Sequence, residues 1–123
     1  MNDESTYYNY LKSHGRSLEE INPGSNEFAL SIGDSLNAIE ILRAASISIK
    51  GGDVFTEREG KLAYVYQILG DKYHYLNWYC EKKEAESEMG NVMSSYLKSR
   101  EAIEHANMVT QTNGIKCFIV IVV

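Results

Sequence analysis

Cysteine, proline and positive charge are all scarce in this 123-residue chain, and each shortage removes a class of protein. The only two cysteines, Cys80 and Cys117, lie far apart with no Cys or His at ligand spacing, so they read as reduced, buried thiols rather than a disulfide framework or a zinc site. Twelve Lys and Arg against 17 Asp and Glu leave a formal net charge of −5. That balance argues against nucleic acid or an anionic membrane as partner, because both surfaces require a cationic patch. The longest uninterrupted apolar run, Cys117–Val123, is seven residues, against roughly 20 for a membrane-spanning helix. The N-terminus, Met1-Asn2-Asp3-Glu4-Ser5, is acidic and polar where a signal peptide would be basic and then apolar, so the expected location is the cytoplasm.

What is present is enough for one domain spanning residues 1–123. At 44% hydrophobic residues and this length, a single core holds without staples, and a disordered tail is excluded. Tyr7, Tyr10 and Leu11 share one side of a short helix over Thr6–Lys12 that ends at Gly15. Ser17 and Glu20 have capping-box spacing and start a second short helix, Ser17–Ile21. The single proline sits in the strongest turn signal, Asn22-Pro23-Gly24-Ser25. Ile32, Leu36, Ile39 and Leu42 recur at helical spacing and predict an amphipathic helix over Asp34–Ala45, with Asp34 as its N-cap.

From Ser46 the period changes to two. Ser46–Lys50 alternates as a strand that Gly51-Gly52 interrupts and Val54-Phe55 resumes. Glu57–Gly60 connects to a second strand over Leu62–Leu69, and Gly70–Lys72 turns into a third over Tyr73–Glu81. Along that third strand His74, Leu76, Trp78 and Cys80 face the core, while Tyr73, Tyr75, Asn77, Tyr79 and Glu81 face outward. An acidic lead-in over Glu84–Glu88 opens a long helix with a buried stripe of Met89, Val92, Met93, Tyr96, Ile103 and Ala106, stopped at Thr112-Asn113-Gly114. Ile115–Val123, apolar on both faces apart from Lys116, is expected to be a central strand. The order predicts an α+β fold with a mainly antiparallel sheet of about four strands, helices packed against it and the C-terminal strand central.

No catalytic or metal pattern emerges. His14, His74 and His105 lack partners at zinc-ligand spacing, and Gly51-Gly52 lacks the further glycine, lysine and helix of a phosphate loop. Asp53 either caps the turn after those glycines or contacts a partner. A ligand-binding or enzymatic domain would need a dispersed site such as Asp53, His74 and Glu86, and a third possibility is self-association through a sheet edge. Tyrosine is the compositional outlier at nine residues. Ordinary strand and core tyrosines explain that number, and so does a protein interface centred on Tyr73, Tyr75 and Tyr79, with Glu81, Glu84, Glu86 and Asp53 supplying acidic groups for a basic partner.

The blocks Ser17-Leu18-Glu19-Glu20-Ile21, Phe28-Ala29-Leu30, Asp34–Leu42, Gly51-Gly52-Asp53-Val54-Phe55, Asn77-Trp78-Tyr79-Cys80-Glu81 and Glu86-Ser87 occur in one order. Together they resemble a family of bacterial immunity proteins, immunity protein family forty, found beside polymorphic and contact-dependent growth inhibition toxins. The resemblance spans residues 11–123, and its most specific parts are the Gly-Gly-Asp-Val-Phe and Asn-Trp-Tyr blocks. It implies a small cytoplasmic protein that binds a cognate C-terminal toxin domain without catalysis or cofactor, as a monomer in a 1:1 complex or a weak homodimer. No toxin-contacting residue carries over from it. The acidic, tyrosine-rich composition suits a basic toxin, with a nuclease the expected activity.

Overall fold

The computed structural model describes residues 4–84 and 86–123, so Ala85 of the acidic lead-in and residues 1–3 lie outside the described residues. The chain runs α1 (Glu4–His14), β1 (Arg16–Ser17), a 3-10 turn (Leu18–Glu20), β2 (Phe28–Ala29), α2 (Ile32–Ala44), β3 (Gly51–Arg58) and β4 (Lys61–Tyr64). It continues through α3 (Val65–Leu69), a second 3-10 segment (Asp71–Leu76), β5 (Trp78–Tyr79), α4 (Glu88–Thr112) and β6 (Phe118–Val122). This is the expected α+β fold with an antiparallel sheet.

β3 is the strand on which the sheet is assembled. One edge pairs antiparallel with β6, Gly51 opposite Val122 through Phe55 opposite Phe118. The other edge is divided: β4 pairs with Phe55–Arg58, and β5 pairs with Gly51 and Gly52. The C-terminal strand is internal as expected, because the far edge of β6 bridges to Leu30 through two backbone bonds of 2.7 and 2.8 Å. β1 and β2 form a separate two-stranded piece just before that bridge.

The divided edge explains where the expected strands are corrected. An eight-residue strand cannot pair along its whole length with both Leu62–Leu69 and Tyr73–Glu81. The first therefore stops at Tyr64 and turns into α3, where Gln67 Oε1 accepts the Tyr64 amide at 3.1 Å. The second is a 3-10 segment as far as Leu76 and pairs only at Trp78 and Tyr79, while Asn77 Oδ1 accepts the Val54 amide at 2.7 Å in place of a strand bond. The predicted alternation fails only at its start, where His74 is exposed and Tyr73 half-buried; Leu76 is buried, Trp78 and Cys80 lie against α4, and Tyr75, Tyr79 and Glu81 are exposed as expected. Ser46–Lys50 is likewise not a strand. The glycines open β3 rather than interrupt it.

Helix starts moved less. Ser31 rather than Asp34 caps α2, its Oγ accepting the Asp34 amide at 3.2 Å. Ser17 accepts the Glu19 amide, but Glu20 turns to Arg16 and the Leu62 amide instead of closing a capping box, so only a 3-10 turn forms. α2 and α4 pack together on one sheet face, with α1 against α2. Leu30, Ala38, Ile39, Leu42, Val54, Ile103, Ala106 and Ile119 are buried between them. The opposite face carries a smaller cluster in which Leu18 and Ala29 cover Phe55, Leu62 and Val120.

The buried stripe of α4 is more polar than predicted. Met89 and Met93 are exposed, and the sheet-facing row is Asn91, Ser95 and Ser99, one helical turn apart. Small side chains are needed because β5 and the loop before β3 approach the helix closely. Their hydroxyls are bonded: Ser95 Oγ accepts the Ile49 amide at 3.0 Å, and Ser99 Oγ accepts the Trp78 indole N–H at 3.0 Å. The indole in turn lies flat on β3. A Cβ on Gly52 would fall 2.5 and 2.6 Å from Trp78 Cζ2 and Cζ3, and one on Gly51 would strike the Trp78 carbonyl. Replacing Gly52 by Ala must displace the ring, which costs on the order of 2 kcal/mol by the usual penalty for overpacking. Ser99→Ala, which leaves the indole N–H unbonded, is expected to cost about 1 kcal/mol. Urea unfolding followed through the fluorescence of the single tryptophan measures both; wild-type stability in G52A would overturn the assignment.

Candidate functional site

The residues expected to bind a partner divide between two surfaces. Asp53 and Tyr79 share the sheet face opposite the helices, since the register sets Gly51 beside Tyr79 and alternation returns Asp53 to the same side. Tyr79 is 71% exposed. Tyr75, 59% exposed, instead leans on α4, its hydroxyl 2.9 Å from His105 Nε2. Tyr73 packs half-buried against the core with Lys72 over its ring at 5.3 Å. Glu81 and Glu84 are exposed on the connection to α4, and half-buried Glu86 sits beside Gly90 with Oε1 unbonded. Tyr73, Tyr75 and Tyr79 therefore form no common row, because Tyr73 and Tyr75 belong to the 3-10 segment and only Tyr79 to β5.

Around Asp53 the fold gathers groups that are distant in sequence. An aromatic chain runs from Phe55 to Tyr64 (ring centroids 4.3 Å), Tyr66 (5.2 Å) and His74 (4.4 Å). Burial pushes the Asp53 carboxyl above its ordinary range, and the nearby His74 partly offsets this. Glu27 is also raised, first by burial and then by the charge of Asp53. Burial, then Asp53, Tyr66 and Glu27, push the Tyr64 hydroxyl up as well. Neither carboxylate has a hydrogen-bond donor or ion-pair partner among the described residues. Two half-buried, mutually repelling carboxylates beside aromatic rings are an arrangement that a cationic side chain would relieve.

Glu27 was invisible in the sequence, since it sits in a stretch too short to assign, and only the β2–β6 bridge places it near Asp53. Of the dispersed set, Asp53 and His74 come within electrostatic reach of each other, while Glu86 belongs to the turn before α4. The two cysteines are free and half-buried, and burial pushes the Cys117 thiol up to about 11, away from the range of a reactive thiolate. Among the described residues no group of three His, Cys, Asp or Glu could hold a metal ion, and no helix is long and apolar enough to cross a membrane.

Compared with known families, the chain matches the immunity proteins, the class whose members neutralise a cognate toxin. The chain belongs to the immunity protein 40 family, whose family model matches residues 17–123. No curated protein and no solved structure matches the chain. The matched stretch contains every strand except the start of β1, and the Gly-Gly-Asp-Val-Phe and Asn-Trp-Tyr blocks inside it are paired neighbours in the sheet.

The raised Asp53 carboxyl has a stability consequence. A carboxyl with a folded-state pKa above its unfolded value favours the fold while protonated and loses that contribution as pH rises through the folded value. Asp53→Asn is therefore expected to raise the thermal midpoint at pH 7, and the gain should vanish below about pH 3, where the aspartate is protonated in both states. A melting series across pH checks this; a D53N variant less stable than wild type at pH 7 would show that the charge is structurally required.

Proposed function

We propose that this immunity protein binds its cognate toxin domain in the cytoplasm as a 1:1 complex and silences it by covering its working surface, with no chemical step. The membership of residues 17–123 in the immunity protein 40 family carries this reading. The toxin is taken to be basic, and a nuclease, because a domain that handles nucleic acid must present cations. The net charge of −5 and the unpaired carboxylates of Asp53 and Glu27 complement such a surface.

Contacts are assigned to Asp53, Glu27 and Tyr79 on the open sheet face, with Tyr73, Tyr75, Glu81, Glu84 and Glu86 extending the surface around the β5 edge. Tyr79 contributes most of the apolar area to be buried, and the acidic groups steer the encounter. Co-expression with the adjacent toxin domain tests the function: wild type is expected to restore growth, and continued killing at equal expression would remove the immunity reading. The double reversal Asp53→Lys with Glu27→Lys should slow association by about tenfold at low salt and weaken protection. An association rate unchanged at low salt would move the contact elsewhere.

A further inference from the structure

Two polar side chains that have no bonding partner line the same cavity. Where α1 meets the end of β6 and the residues leading into β2, a space of about 230 Å³ lies between Tyr7, Tyr8 and Leu11 on one side and Glu27, Phe28 and Ile121 on the other. It is smaller than the roughly 300–1,000 Å³ of a typical small-molecule site and suits a single side chain. Leu11, Phe28 and Ile121 give it apolar walls, and the Tyr7 and Tyr8 rings meet edge to face with centroids 5.3 Å apart at 61°. No Lys, Arg or His is among the described residues that line it.

Its acceptors lack donors. Tyr7 is only 1% exposed, yet its hydroxyl has no hydrogen-bond partner among the described residues, although buried hydroxyls are ordinarily bonded. Glu27 is half-buried, unlike the exposed Glu19 and Glu59, and its carboxylate also receives no donor. The two groups are within electrostatic reach: burial, then Tyr8 and Glu27, push the Tyr7 hydroxyl up, so it stays a neutral phenol whose oxygen can accept. Glu27 repels an anion, and an apolar occupant would leave both groups buried and unbonded. A cation carrying several N–H donors satisfies both.

We infer that this cavity seats one arginine side chain of the toxin domain, its guanidinium bridging the Glu27 carboxylate and the Tyr7 hydroxyl beside the Tyr8 ring. The inference rests on the immunity reading and sharpens it, because Glu27 then holds the complex together as well as steering the encounter. A guanidinium is planar and carries five N–H donors in a fixed fork. It can bond a carboxylate and a phenol oxygen at once while its face lies on an aromatic ring, whereas a lysine ammonium has no plane to stack. The aliphatic stem of the arginine matches the walls of Leu11, Phe28 and Ile121. Asp53, whose charge reaches Glu27, adds to the negative field at the site. An arginine desolvated in such a pocket is a common form of interface hot spot.

The test uses the full-length protein and the purified toxin domain, with association and dissociation rates read separately. Y7F removes one oxygen and keeps the ring. It should fold with wild-type stability, because no bond within the protein is lost, and should raise the dissociation rate about fivefold. E27Q should raise it about tenfold, and the effect should persist at high salt, where steering by exposed charges is screened. Alanine replacement of the toxin arginines one at a time should find one coupled to Glu27, so that the double change costs little more than either single change. A dissociation rate within about twofold of wild type in either variant, or no toxin arginine coupled to Glu27, would overturn the arginine seat and leave the immunity reading intact. Failure of wild type to bind the toxin domain at all would remove both.

Discussion

The contact on which the rest of the structure depends is the Trp78 indole lying across the bare backbone of Gly52 while its N–H bonds Ser99 on α4. It joins three elements at once: β3 supplies the glycine, β5 the ring and α4 the acceptor. Asn77, one residue before the tryptophan, takes the Val54 amide, and Cys80, two after it, donates its own amide to Lys50 O at 2.8 Å. Two short blocks far apart in sequence are thus a single joint. Its geometry tolerates no Cβ at Gly52, because the ring occupies that volume, and the small Ser95 and Ser99 on α4 let helix and sheet close around it.

That joint decides what the two surfaces look like. Because Asn77 and β5 occupy half of one β3 edge, β4 must leave the sheet after Tyr64. Tyr64 and Tyr66 then stack toward His74 rather than continuing a ladder. The same departure leaves Asp53 flanked by aromatic rings and Glu27 instead of by a neighbouring strand's polar groups. On the other side, the short reach of β5 lays residues 80–83 along α4, where the Lys83 amide donates to Asn91 Oδ1 and Cys80 Sγ lies against Ser95 and Ser99.

Electrostatics in this protein is therefore a matter of placement more than of total charge. Ion pairs such as Arg16 with Glu20 and Glu57, or Lys116 with Glu57, fasten the N-terminal segment and the β6 approach to the β3–β4 hairpin. Exposed pairs of this kind contribute little to stability. Asp53 and Glu27, on the surface assigned to the toxin, have no such partner among the described residues. A half-buried carboxylate that lacks a donor costs the free protein stability, and a partner that supplies the missing cation recovers it on binding.

The amino-acid sequence by itself determined the class of fold, the ends of α4, the presence of a C-terminal strand, and the co-occurrence of the glycine and tryptophan blocks that carries the family resemblance; that the two blocks pair was decided by the tertiary structure. Helical period, serine caps and apolar runs are local signals, and they act over a few residues whatever surrounds them. Only the tertiary structure decided that Tyr73 and Tyr75 leave the strand, that Met89 and Met93 face water while Asn91, Ser95 and Ser99 face the sheet, and that Glu27 lies near Asp53. Each of these outcomes follows from competition for one edge or one face between segments that are remote in sequence. Periodicity within a segment reports which residues would share a side, but not whether a partner strand has an edge left to offer.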